Sequence, residues 1–323
     1  MVEAETPAKS RFCVDSSSTR SRSLWRRATW TVFADGTVMV CHHGAGYSGL
    51  SFACLAKEIG DMSKGECGVL ALDARRHGKT KTTAAKEDED LSISVLVEDF
   101  VQILQAVYLD PATAPTLLLV SHSMGGAVVV RACPQLLERK FRISGVAVLD
   151  VVEGSAMEAL PHMHNLLNVR PDGFDSPEAA IKWHVKTKTI RNANSARVSV
   201  SAIVVPAATP PPPDRARVPV AHAAALDGAV LVEYARPPPL LRAATEMPRA
   251  PGWFTGLSGA FLAPRTARLL LLAGTDRLDR ELMIAQMQGK FQMIVVNGVG
   301  HMLHEDDPTH VAEILLDFWR RND

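Results

Sequence analysis

The chain has 323 residues, with 35 Lys and Arg against 35 Asp and Glu, so its formal net charge is zero. Such a length suits one large or two small domains. The charge balance lacks the basic footprint of a nucleic-acid binder, and no apolar run approaches the ~18 residues of a membrane-spanning helix.

Residues 1–28 scatter Arg11, Arg20, Arg22, Arg26 and Arg27 among serines, with Glu3, Glu5 and Asp15 interspersed and no apolar run. So polar a segment buries too little to offset its ordering entropy, and a disordered tail is expected. Residues 29–34 read as a first strand, turned by Asp35-Gly36. Residues 38–41 form a short buried strand that leads into His42-His43-Gly44-Ala45-Gly46. Helical spacing over 50–59 and a strand over 68–72 follow. Ser92 then caps a helix through 107, with Val95, Leu96, Phe100, Ile103, Leu104 and Val107 on one face.

Leu117-Leu118-Leu119-Val120 is the next buried strand, and Ser121-His122-Ser123-Met124-Gly125-Gly126-Ala127 follows it. A strand, a tight turn centred on Ser123 and a helix opening on glycines form the context of a nucleophile elbow. The helix runs to about 137, and 143–152 is another buried strand. Strands alternating with helices imply a mostly parallel sheet covered on both faces.

Beyond 153 the alternation stops. Segments 155–167, 176–186 and 194–200 look helical. Residues 206–251 hold about half of the chain's 20 prolines, including Pro210–Pro213 and Pro237–Pro239. Such a stretch cannot be a continuous helix or a central strand, and a long loop, disordered over 205–251, is expected. The α/β pattern resumes with a strand over 267–273, a helix over 281–287, a strand over 291–296 and an amphipathic helix over 309–321. The expected plan is an α/β-hydrolase core formed by 29–152 and 252–323, interrupted by a helical lid insertion over 153–251.

A serine hydroxyl needs a base within reach, and the base needs a partner that fixes its tautomer. Ser123 is the candidate nucleophile. His301 closes a Gly298-Val299-Gly300-His301 turn after the last strand, where the base of such a fold belongs. The acid stays ambiguous: Asp276 follows the penultimate strand, Asp150 ends the strand after the elbow helix, and Asp279 is a third choice. Spacing favours Asp276. The backbone N–H of Met124 and an N–H from Gly44-Ala45-Gly46 are the expected oxyanion donors. Ser121 stands where the elbow pattern usually has glycine. Asp73 and His77 read as a structural turn, and His304, Glu305 and Asp306 as the start of the last helix. His162-x-His164 reads as a polar lid face, not half a metal site. No cofactor and no metal are expected. The five cysteines, Cys13, Cys41, Cys54, Cys67 and Cys133, lack CxxC spacing and read as free thiols of a reducing compartment. A cytoplasmic location is expected, with the nucleus as a second one.

Several segments go beyond a generic hydrolase. These are Asp150-Val151-Val152-Glu153-Gly154-Ser155-Ala156-Met157-Glu158-Ala159-Leu160, Ile190-Arg191-Asn192-Ala193-Asn194-Ser195-Ala196-Arg197, Gly252-Trp253-Phe254-Thr255-Gly256-Leu257-Ser258, and Asp276-Arg277-Leu278-Asp279 leading to Gln286-Met287-Gln288-Gly289-Lys290-Phe291. On these the chain resembles the protein phosphatase methylesterase family, over roughly 37–200 and 252–318. The resemblance implies an α/β-hydrolase whose substrate and binding partner is the catalytic subunit of type 2A protein phosphatase, demethylated at its C-terminal leucine. It also implies Ser123 as nucleophile, His301 as base and Asp150 as acid, against the spacing preference. The 205–250 stretch lacks the acidic loop and the Tyr-x-Trp-Arg run of that family. A general small-ester hydrolase and a phosphatase-binding protein without catalysis are the rival readings.

Overall fold

A computed structural model describes residues 29–32, 36–80, 90–159, 171, 173–206, 232–234, 250–274 and 278–323. The tail over 1–28, the pair His162 and His164, Asp276 and most of the Pro-rich stretch lie outside the described residues.

The central sheet has seven strands. In chain order these are β1 (Thr29–Val32), β2 (Thr37–His42), β3 (Cys67–Leu72), β4 (Thr116–His122), β5 (Ile143–Leu149), β9 (Ala267–Leu272) and β10 (Gln292–Val295). Their spatial order is β1-β3-β2-β4-β5-β9-β10. Only β1 is antiparallel, pairing Thr29 with Leu72 at the sheet edge. The other five pairings are parallel.

Both faces are covered, so alternate residues of one strand enter different cores. Val38, Val40, Leu70, Leu72, Leu117 and Leu119 face a cluster built with α2 (Ile93–Val107) and α3 (Met124–Glu138). Met39, Cys41, Val69, Ala71, Leu118 and Val120 face the other, built with α1 (Ala53–Met62) and the closing helix α10 (Pro308–Asn322). These near-continuous apolar runs are what a sheet buried on both faces requires.

The insertion is not purely helical, contrary to expectation. Besides α4 (Glu153–Ala159), α5 (Pro177–Lys186) and α6 (Ala193–Ile203), it carries a small antiparallel sheet. Its strands are β6 (Gly173–Phe174), β7 (Val204–Pro206) and β8 (Val232–Tyr234), with β8 in the middle. Strand β8 falls inside the stretch read as a disordered loop. Residues 220–236 contain no proline, and Val232-Glu233-Tyr234 has β-branched and aromatic character, so nothing prevents a short strand there. The insertion has its own apolar cluster of Phe174, Ala180, Ile190, Ala196, Val200, Ile203 and Val204. Met302, which follows His301, is buried in that same cluster.

The chain re-enters the core through α7 (Leu257–Leu262) and α8 (Arg280–Met287). Glu153 organises this junction: its carboxylate accepts the N–H of Gly256 at 2.8 Å and of Ser258 at 3.1 Å. The Ser258 hydroxyl donates to Asp279 at 2.6 Å, and Asp279 caps α8 through the N–H of Leu282. Three of the segments singled out in the sequence, around Glu153, Gly256 and Asp279, are therefore parts of one hydrogen-bonded knot.

Candidate active site

Strand β4 ends at His122, and Ser123 takes φ 51 and ψ −120 before α3 begins at Met124. A left-handed φ is costly for a non-glycine residue, and such strain persists only where the surroundings hold it. The Ser123 N–H is bound to Leu149 O at 3.0 Å and its carbonyl accepts the Gly126 N–H at 2.8 Å. The glycines after it serve close packing. A Cβ on Gly125 would lie 2.4 Å from His42 O, and one on Gly126 would lie 2.5 Å from Val151 Cγ1. The helix can thus start directly against the ends of β2 and β5. Ser121 fits without glycine: it is buried, and its hydroxyl donates to Ala147 O of β5 at 3.3 Å.

Strand β5 stops at Leu149, three residues earlier than the apolar run suggested. Asp150 turns the chain with φ 51. Its backbone N–H donates to Leu271 O at 2.8 Å, and its Oδ1 accepts the Ala273 N–H at 2.9 Å. Oδ2 accepts from His301 Nδ1 at 2.7 Å. The Asp150 side chain is 2% exposed and that of His301 51%. The carboxylate therefore sits rigidly inside while the ring reaches the surface, and Nδ1–H donation leaves Nε2 as its basic nitrogen. Asp279, the third sequence candidate, is occupied with Ser258 and Leu282.

Next to the elbow lies the loop after β2. A Cβ on Gly44 would be 3.2 Å from Ser123 Cβ and 2.8 Å from His122 Nδ1, so only glycine lets this backbone lie against the serine. The Gly44 carbonyl accepts from His43 Nδ1 at 2.7 Å and from the Tyr47 N–H at 3.3 Å. His43 Nε2 accepts the Ala74 N–H at 2.9 Å, which fixes the tautomer of this fully buried ring. The peptide is trans, so the Ala45 N–H points opposite to the Gly44 carbonyl, away from His43 and Tyr47. Gly46 completes the turn with φ 80.

Two further histidines pack behind the site. His122 Nε2 donates to His301 O at 2.9 Å, and the two rings lie 4.6 Å apart. His304 stacks on Phe52 at 4.5 Å and lies 4.6 Å from His122. Burial holds His122 well below the ordinary histidine range and pushes His304 down to about 3. Burial likewise lowers His42 to about 4 and holds His43 far below normal. These rings are neutral hydrogen-bonding and packing groups. Beside them, burial pushes the Glu305 carboxyl up to about 8, with the Ser199 hydroxyl as the main opposing influence.

Asp73 and His77 form the expected post-strand turn: Asp73 accepts the N–H groups of Gly49 and Lys79 at 2.8 and 2.9 Å. His304, Glu305 and Asp306 do not start the last helix. With Leu303 they form the short helix α9 (Leu303–Asp306) before α10. Among the described residues no group of three His, Cys, Asp or Glu side chains is arranged to hold a metal ion.

The structure thus brings Ser123, Asp150 and His301 to the same end of the sheet, with Met124 and the 44–46 loop beside the serine. Sequence reasoning gave His122 no role and read Asp306 only as part of the start of the last helix. The only available signals were the histidine inside the elbow and the acidic residue five positions after His301.

Residues 39–314 match the model of the alpha/beta hydrolase family. Several solved structures share the fold at low identity. The E-2-(acetamidomethylene)succinate hydrolase has a TM-score of 0.66 at 16% identity, covering 89% of this chain and 92% of that one. A thioesterase domain from the curacin biosynthetic pathway has 0.62 at 16% identity, covering 93% and 97%. Curated relatives are much nearer. A protein phosphatase methylesterase 1 of Cryptococcus neoformans var. neoformans is 48% identical over 287 residues, covering 89% of this chain and 65% of the relative. That of Emericella nidulans is 42% identical over 299 residues, covering 89% and 68%. The chain spans about two thirds of the length of these curated relatives. It belongs to the alpha/beta hydrolase family and, within it, to the protein phosphatase methylesterases.

Proposed function

We propose that the protein is a serine carboxylesterase that removes the methyl ester from the C-terminal leucine of the type 2A protein phosphatase catalytic subunit. The observation that supports the chemistry most is the pairing of His301 Nδ1 with the buried Asp150 carboxylate at 2.7 Å, close to a strained serine elbow. The 42–48% identity to methylesterases supports the substrate class.

Asp150 fixes the His301 tautomer and stabilises the imidazolium that forms. His301 Nε2 takes the Ser123 proton as the hydroxyl oxygen attacks the ester carbonyl. The developing oxyanion is held by the N–H groups of Met124 and, in this reading, of Ala45. The proton on Nε2 passes to the methoxide oxygen, and methanol leaves. Water, deprotonated by His301, then hydrolyses the acyl-enzyme and returns a free leucine carboxylate.

The test compares release of methanol from methyl-esterified phosphatase with hydrolysis of short acyl esters. A much larger kcat/KM on the phosphatase supports the reading. Equal or better turnover of small esters indicates a general esterase, and stable binding of the phosphatase without turnover indicates a binding protein.

A further inference from the structure

The base is held from the insertion side as well as by Asp150. The Arg191 guanidinium, just before α6, donates through Nη1 to Gly298 O at 2.5 Å. The Arg191 backbone N–H donates to Asp306 Oδ1 at 2.6 Å, and its Nε lies 3.7 Å from Asp306 Oδ2. That same Oδ2 accepts the Gly300 N–H at 2.7 Å. The Asp306 carboxylate is 2% exposed, whereas Arg191 is 42% exposed. On the other flank of His301, Met302 is buried in the apolar cluster of the insertion beside Ile190, the residue before Arg191. The backbone on both sides of His301 is therefore tied to residues of the insertion, while the ring itself is tied to the core.

We propose that Arg191, with Asp306, is a positioning residue: it clamps the 298–300 turn so that the conformation of the insertion sets the alignment of the His301 ring. This rests on the reading of His301 as the base. A hydrogen bond to Gly298 O and a carboxylate on the Gly300 N–H remove the freedom of the two glycines that lead into His301. A Cβ on Gly300 would lie 3.3 Å from Asp306 Oδ2 and 3.4 Å from Arg191 Nε, so a side chain there would press directly on the clamp. Any partner that moves the segment around 190–192 then moves the base. The geometry gives the insertion a direct mechanical route to the chemistry without contact with the reacting atoms.

The test uses the full chain with Arg191→Ala, Arg191→Lys and Asp306→Asn, read by kcat and KM on a methyl-esterified leucine peptide, by Tm, and by the NMR signals of the His301 imidazole. The expected result for Arg191→Ala is a kcat lowered on the order of 10- to 100-fold, the cost of a misplaced catalytic group, with KM near wild type and shifted His301 signals. Arg191→Lys keeps a donor for Gly298 O and recovers part of kcat. Unchanged kcat and unchanged His301 signals in Arg191→Ala overturn the proposal, as does a loss that merely follows the folded fraction and is equal in the Lys variant. If the wild-type protein shows no ester turnover, the functional reading fails by itself. The His301 signals of the variants then decide the clamp alone.

Discussion

His122 Nε2 donates to the carbonyl of His301 at 2.9 Å. The residue before the candidate nucleophile therefore holds the backbone of the candidate base. Because the carbonyl can only accept, Nε2 carries the proton, and burial keeps the ring neutral. Replacing His122 by Phe keeps an aromatic ring beside His304 but removes this bond. The expected outcome is a fall in kcat of about 10-fold or more, as a hydrogen bond fixing the base is lost. Steady-state kinetics beside a Tm measurement checks it: an unchanged kcat in a folded His122→Phe protein contradicts the role.

The packing of Gly44 against Ser123 allows a second test. Gly44 has no left-handed φ, so Gly44→Ala acts purely through space. Its Cβ would meet His122 Nδ1 at 2.8 Å and Ser123 Cβ at 3.2 Å, and neither group can retreat from its buried or strained position. The loop must shift, carrying the Ala45 N–H with it. A loss on the order of 100-fold in kcat is expected, the scale for one oxyanion donor, with a smaller change in KM.

Asp150 and Asp279 separate a catalytic from a structural carboxylate. Asp150→Asn is expected to lower kcat on the order of 10³- to 10⁴-fold, since the amide stabilises the wrong histidine tautomer. Asp279→Ala removes the α8 cap and the Ser258 bond, for a stability cost of about 1–2 kcal/mol and a kcat near wild type. Parallel kinetics and denaturant unfolding distinguish them, and a reversed pattern contradicts the assignment.

The nucleophile elbow was legible because β4 and α3 have unambiguous periodicities and Ser123 lies between them. The 298–301 turn was legible for the same reason. The acid was not legible from spacing: three aspartates follow strands at plausible positions and spacing favoured Asp276, whereas the family resemblance pointed to Asp150, the carboxylate that reaches His301 in the structure. The end of β5 was misplaced because Val151 and Val152 are apolar and extend the run, while the turn is made by the left-handed φ of Asp150, which no local residue type announces. Strand β8 was hidden by the surrounding prolines. Asp306 was read only as part of the start of the last helix, because its contact with Arg191, more than a hundred residues away in the chain, leaves no local signal.

Buried titratable groups give stability a definite pH dependence. Burial lowers His42 and His77 to about 4 and His304 to about 3. Unfolded, these rings take up protons near pH 6.5, so the stability tied to their neutral forms is complete above that pH and is lost as pH falls through 6.5 toward 4 and below. Glu305, raised to about 8, acts in the opposite sense: its contribution is complete below its unfolded value near 4.5 and is lost as pH rises toward 8. Among the described residues His304 finds no hydrogen-bond partner for either ring nitrogen. His304→Phe is therefore expected to make Tm less sensitive to acid between pH 6.5 and 4, and Glu305→Gln to flatten the decline between pH 4.5 and 8. Tm measured against pH for both variants checks the two signs independently.

The most direct test of the account is active-site labelling with a fluorophosphonate, followed by mapping of the modified residue by mass spectrometry. The account predicts a single phosphonylated residue, Ser123, with labelling abolished in Ser123→Ala and strongly slowed in His301→Gln and Asp150→Asn. Labelling of a different serine, or undiminished labelling of Ser123 in the folded His301→Gln protein, would contradict it.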